Sequence, residues 1–260
     1  QERDRSASAL IMIDATYALA ACIFFGAALY SSVGHAGASA YLAILVLAGF
    51  PREAIAPTVL ALNILVTLLG TLNYYRAGYF DLRLLFPFIL TSIPAAFLGG
   101  SIQVSEKTFS AILGLTLLAA ALRFLIFSKP IMGRQVFSPM VLFGIGLPLG
   151  FGLGFLAGLV GIGGGIFLSP LLLLMGWADA KKTAAVSAGF IFLNSLSGLT
   201  AHILRQTPDW SQLFVLAVAV LIGGGIGSYV GAFRLLPLTL QQLLGVVLLI
   251  ASAKMIKDLL

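Results

Sequence analysis

Charge is what this sequence has least of. Only 9% of its 260 residues are charged, with nine acidic side chains, two histidines and one cysteine. A soluble domain carries about a quarter charged residues, so a water-facing globular surface is excluded. The lone Cys22 excludes an internal disulfide and a cysteine-ligated cluster, and reads as a small apolar packing residue. No histidine pair or acidic pair has the spacing of a metal site, so no metal and no cofactor is expected. No Asp or Glu falls in the middle of an apolar stretch, which argues against a carboxylate proton relay. The polar stretch Gln1 to Ser8 has no n-region, h-region and cleavage-site order, so no secretory signal is expected.

What is present is apolar length. Hydrophobic residues make up 60% of the chain, and the mean hydropathy is +1.08. The apolar runs are too long for barrel strands and lack their alternation. The expected fold class is therefore an all-α integral membrane protein. The net charge of +6 comes from residues near span ends. It reads as topology and contact with membrane lipids, and no nucleic-acid partner is expected.

Gly161-Ile162-Gly163-Gly164-Gly165 interrupts the apolar stretch from Phe143 to Trp177. Glycine that dense weakens a helix. Broken backbone inside a membrane is tolerated only when buried in protein or lining a wet cavity. The run has a twin: a shift of roughly 127 positions lays Gly34-His35-Ala36-Gly37 on Gly161-Ile162-Gly163-Gly164. The same shift pairs Gly49 with Gly176, Val59 with Val186 and Gly100 with Gly227, and a slightly longer one pairs Thr108 with Thr239 and Gly114 with Gly245. The chain thus reads as two homologous halves in one transmembrane domain: residues 1–128, a connector 129–138, and residues 139–260. Each half has one Gly-broken short helix plus about four longer spans. Spans are expected near Leu10–Tyr30, Ala54–Tyr75, Leu84–Gly100, Thr108–Phe127, Pro139–Val160, Thr183–Leu204, Gln212–Phe233 and Leu238–Ile256. The short segments are Ala38–Phe50 and Ile166–Trp177. Thirteen helical residues cover about 20 Å, short of a bilayer core of about 30 Å. The Lys and Arg distribution favours parallel halves with four crossings each. The meeting of two broken elements from opposite sides favours inverted repeats, which is the preferred reading.

The start of a helix presents free N–H groups and about half a positive charge, an anion site without a cationic side chain. The substrate-binding candidates are Gly34, His35, Gly37, Gly161, Gly163, Gly164 and Gly165, with Asn63, Thr67 and Asn194 as buried polar groups near mid-span. No catalytic residues are expected. If a proton is coupled to transport, His35 or His202 carries it. The glycines spaced by four, Gly150, Gly154 and Gly158, and Gly223, Gly227 and Gly231, read as close helix packing. Arg76 and Arg205 read as snorkelling to headgroups. Ser195-Leu196-Ser197-Gly198 with His202 is a poor match to a serine hydrolase, because the histidine sits on the same helix.

The Gly161–Gly165 motif after a long span, its twin at Gly34 to Gly37, and the polar turns Tyr75-Arg76-Ala77-Gly78-Tyr79-Phe80-Asp81 and His202 to Trp210 resemble the sulfite exporter TauE/SafE family, also described as the toluenesulfonate uptake permease group. The resemblance covers nearly the whole chain. It departs in the first copy, where His35, Ala36 and Ala38 stand opposite Ile162, Gly163 and Gly165. The resemblance implies a secondary carrier for a small sulfur-containing anion such as sulfite or a sulfonate. The carrier would work by alternating access in a bacterial cytoplasmic membrane, and homo-oligomerisation stays open. An anion channel is the runner-up, and an intramembrane enzyme ranks last.

Overall fold

The computed structural model describes residues 2–102, 138–205 and 213–235, with scattered positions in 118–125 and 239–253. The described residues form eight helices: α1 (Glu2–Ser31), α2 (Ala38–Leu47), α3 (Arg52–Arg76), α4 (Leu82–Gly100), α5 (Pro139–Val160), α6 (Gly165–Leu174), α7 (Ala180–Arg205) and α8 (Leu213–Phe233). Among the described residues there is no strand. The five helices α3, α4, α5, α7 and α8 are long and apolar enough to cross a membrane. The chain is an integral membrane protein. The spans expected at Thr108–Phe127 and Leu238–Ile256 and the 129–138 connector lie outside the described residues, apart from isolated positions.

Both short helices have 10 residues, about 15 Å of rise, so neither spans a bilayer. The expected short segments ran three residues further. They stop early because Gly49 and Gly176 turn left-handed at φ +75° and +67°. Phe50 N–H then donates to the Leu45 carbonyl (3.0 Å), as Trp177 N–H does to Leu172 (2.9 Å).

The duplication extends to the backbone of the breaks. Gly34 and Gly161 sit at φ +79° and +74°, and Gly37 and Gly164 at +98° and +79°. At each of these positions a side chain would be strained. His35 N–H donates to the Tyr30 carbonyl (3.0 Å), and its equivalent Ile162 N–H donates to Ala157 (3.2 Å). Gly163 also has positive φ, +72°, which its counterpart Ala36 does not share.

Glycine seams hold the long helices together. A Cβ on Gly150, Gly154 or Gly158 of α5 would collide with backbone at Phe88, Ser92 or Ala96 of α4. On the other side, Gly223 and Gly227 of α8 lie against backbone at Phe24 and Ala28 of α1, and Gly231 against Ser32 just past its end. Numbers rise together in both seams, so each pair runs parallel. Under the repeat, α1 corresponds to α5 and α8 to α4. The two seams are therefore counterparts, with the glycines carried by opposite partners. Between them cross α3 and α7, also counterparts. Gly70 faces Ala188 while Leu60 faces Gly198, so these two run antiparallel.

At one end of the bundle a polar clamp joins the α3–α4 turn to α7 and α8. Lys182 Nζ donates to Asp81 Oδ2 at 3.0 Å. Asp81 Oδ1 accepts from Leu84 N–H at the start of α4. Lys181 Nζ donates to the Ala232 carbonyl (3.1 Å) and lies 5.0 Å from the centre of the Tyr79 ring. At α4's other end, Arg205 Nη1 donates to the Gly100 carbonyl (2.8 Å). Arg205, expected to snorkel to headgroups, thus also caps the end of α4. The last carbonyls of a helix need donors, and a cation there also meets the negative end of its dipole.

Two outcomes follow for stability. Gly154→Leu and Gly158→Leu are expected to abolish folded protein on size-exclusion chromatography, because overpacking against backbone has no rotamer escape. Gly152→Ala, in open space on the same helix, is expected to raise stability by about 0.5–1 kcal/mol in thermal unfolding. For Asp81, burial opposes the charged form. The Lys182 hydrogen bond, the Leu84 N–H and the Lys182 charge outweigh it and hold the carboxyl below its ordinary 3.8. A depressed value contributes stability that is full above the unfolded carboxylate's range and lost as pH falls through and below it. The pair is partly exposed, so the contribution is under about 1 kcal/mol. Asp81→Asn should therefore lower the melting temperature slightly at pH 6, and the difference should shrink as pH falls below the ordinary carboxylate range.

Candidate functional site

The two breaks meet. His35 is buried at 3% exposure, and its Nε2 lies 2.8 Å from Ser169 Oγ on α6. Ser169 Oγ in turn donates to Ser187 Oγ of α7 at 2.7 Å. With that proton committed to Ser187, His35 donates from Nε2 and leaves Nδ1 as an acceptor. With both hydroxyls reversed, the proton moves to Nδ1 and Nε2 accepts. His35 Nδ1 has no partner among the described residues. In the same break, Ser39 Oγ donates to Tyr30 Oη (3.0 Å), and Tyr41 Oη donates to the Ala36 carbonyl.

A cavity of about 10 Å³ lies here, lined by His35, Gly37, Ala38 and Ser39 of the first break and by Ile162 and Ile166 of the second. That is room for the centre of about one water molecule. None of its lining side chains is charged. The field at the cavity comes from the start of α2, whose N-terminal dipole end carries about half a positive charge.

The expected site residues fall into separate groups. Gly37, under the Tyr41 ring, and His35 line the cavity. Gly34 abuts backbone at Ala184 of α7, and Gly161 faces Ala56 of α3 at 2.9 Å from the Cβ it would carry. Gly164 packs against Ala157 and Phe190, and Gly165 against Ile191. Gly163 faces Asn63 and Ser195. Thr67 Oγ1 donates to the Asn63 carbonyl (2.6 Å) and Asn194 Nδ2 to the Phe190 carbonyl (2.8 Å), each within its own helix. His202, near the end of α7, is not among the residues that line the His35 cavity. Ser197 Oγ donates to the Ile93 carbonyl (2.6 Å), a contact between helices.

Sequence reasoning missed Ser169, Tyr30 and Ser39. Ser169 is the one hydroxyl in the apolar run of α6, and a polar group in hydrocarbon needs a partner. That signal marks it as functional or structural, but not as the partner of His35.

A bundle of apolar helices with two half-length helices starting at apposed breaks is the architecture of a membrane transporter. The chain belongs to the sulfite exporter TauE/SafE family, whose profile matches residues 19–255. It is 34% identical over 254 residues to the probable membrane transporter protein y4hK of Sinorhizobium fredii, covering 92% of this chain and 97% of that one. It is 28% identical over 114 residues to the probable membrane transporter protein YunE of Bacillus subtilis, 44% of this chain and 41% of the other. No solved structure matches it.

Removing the middle of the hydroxyl chain should be felt. Ser169→Ala leaves both His35 and Ser187 short of a buried partner. A loss of about 1–3 kcal/mol is expected in thermal unfolding.

Proposed function

We propose that this protein is a secondary carrier for a small sulfur-containing anion, sulfite or a sulfonate, in a bacterial cytoplasmic membrane. The observation that carries this reading is the His35–Ser169 hydrogen bond, which ties the break of one half to the short helix of the other around a common cavity. The family's description as a sulfite exporter supports the substrate class. So does the chemistry, since the cavity offers N–H groups, hydroxyls and an imidazole but no carboxylate. The antiparallel crossing of the counterparts α3 and α7 supports inverted repeats, with the breaks meeting near the membrane midplane. Alternating access then exchanges the side on which each half opens. A channel is the second reading. With space for about one water, the cavity is too small to conduct an anion as it stands, which favours the carrier.

His35 is proposed to couple a proton to the anion. The titratable groups beside it, Tyr30 and Tyr41, are neutral at ordinary pH, and no charged side chain faces it from the cavity lining. A bound anion favours imidazolium, so anion and proton bind with positive coupling. Labelled counterflow in proteoliposomes distinguishes carrier from channel: a carrier exchanges and saturates. A sulfonate stays singly charged, so its affinity should strengthen as pH falls, and His35→Gln should keep binding but lose that slope. An unchanged slope in the variant removes His35 as the protonation site. Linear, non-saturating flux without counterflow removes the carrier.

A further inference from the structure

The second break holds polar groups that the His35 cavity does not use. Asn63 of α3 and Ser195 of α7 are both fully buried. Neither end of the Asn63 amide nor the Ser195 hydroxyl has a hydrogen-bond partner among the described residues. Both aim at the same bare backbone. A methyl group built on Gly163 would lie 2.6 Å from Ser195 Oγ and 3.3 Å from Asn63 Nδ2. Gly163 and Gly164 lead directly into α6. Among the described residues, no side chain caps that helix; the Gly164 carbonyl accepts from Phe167 and Leu168 N–H, and no carbonyl accepts from the Gly165 and Ile166 N–H groups. Two orphaned side chains therefore converge on the positive end of a helix dipole. Burying an unpaired amide in an apolar bundle costs about 1–3 kcal/mol, and such a cost persists where a ligand supplies the missing partner.

Ile191 separates this group from the His35 cavity. It lines that cavity, and its side chain also packs on the bare faces of Gly163 and Gly165. One apolar side chain thus fills the space over the start of α6 and stands between the two polar groups. The repeat explains why only one half is built this way: Asn63 corresponds to Phe190 and Ser195 to Leu68, so the partner position is apolar.

We propose that Asn63, Ser195 and the N–H groups at the start of α6 form a second anion station. Its ligand is an oxyanion that accepts several hydrogen bonds without a counter-charge, and Ile191 is the partition between this station and the His35 cavity. The inference rests on the carrier reading and adds a relay to it. The anion passes from a titratable station to a neutral one when Ile191 swings aside.

The test uses labelled methanesulfonate with the purified full chain in detergent and in proteoliposomes. Wild type should bind one methanesulfonate per chain, Ile191→Ala two, and Ile191→Ala with Asn63→Leu one again. Ser195→Ala should slow counterflow at least tenfold with the wild-type single binding event intact. Asn63→Leu, which has nearly the same size, should slow counterflow too while raising the melting temperature by about 2–4 °C, because it removes an unpaired buried amide. A purely structural Asn63 would lose stability instead. One site in folded Ile191→Ala, or counterflow at the wild-type rate in Ser195→Ala and Asn63→Leu, overturns the station while leaving the carrier standing. Absence of methanesulfonate binding and counterflow in wild type overturns both. If Ile191→Ala does not fold, the Ser195→Ala and Asn63→Leu rates decide alone.

Discussion

A broken helix in hydrocarbon exposes N–H and C=O groups that lipid cannot satisfy, and the rest of this structure depends on how they are covered. Each break is covered in part by the other half. Gly34 lies against α7 at Ala184, and Gly161 against α3 at Ala56. Gly37 and Gly164 are covered within their own halves, so each break is closed by both halves together. The close approach needs glycine at the contact, because any Cβ at Gly34 would meet the Ala184 backbone.

The glycine seams serve the same requirement at a distance. Lipid gives apolar helices no hydrophobic reason to associate, so close packing must hold them. Most of the glycines in each seam sit on one partner: α5 against α4, where Gly99 of α4 is the exception, and α8 against α1. Which partner carries them has been exchanged between the halves. A close crossing requires a missing Cβ on one side only, so either arrangement meets the need.

Symmetry of backbone coexists with asymmetry of chemistry. The breaks share dihedral angles and hydrogen-bond registers. Yet His35 stands opposite Ile162, Ser169 opposite Leu42, and Asn63 opposite Phe190. The duplicated frame sets where two short helices begin, and unpaired substitutions decide what each start can hold. The first has hydroxyls and an imidazole already bonded to one another. The second has an amide and a hydroxyl with no partner among the described residues.

The amino-acid sequence by itself determined the membrane class and the position of the breaks, and it suggested the twofold plan. These follow from hydropathy, glycine density and a fixed offset, all of which are local or self-referential properties. Pro139–Val160 came out at its expected limits, while α2 and α6 stop short because Gly49 and Gly176 take left-handed turns. His35 was legible as a titratable group inside a break. What it touches was not. Ser169 sits 134 positions away, and no periodicity links the two. Arg205 looked like a headgroup residue because its sequence neighbours are polar, but the end of α4 stands beside it. Ser195 read as a weak enzyme motif, and only the crossing of α3 and α7 brings it to Gly163 beside Asn63. Hydropathy tells which faces must be buried. In a bundle of nearly uniform apolar surface it cannot tell which face meets which, because that choice is made by close packing between backbones far apart in the chain.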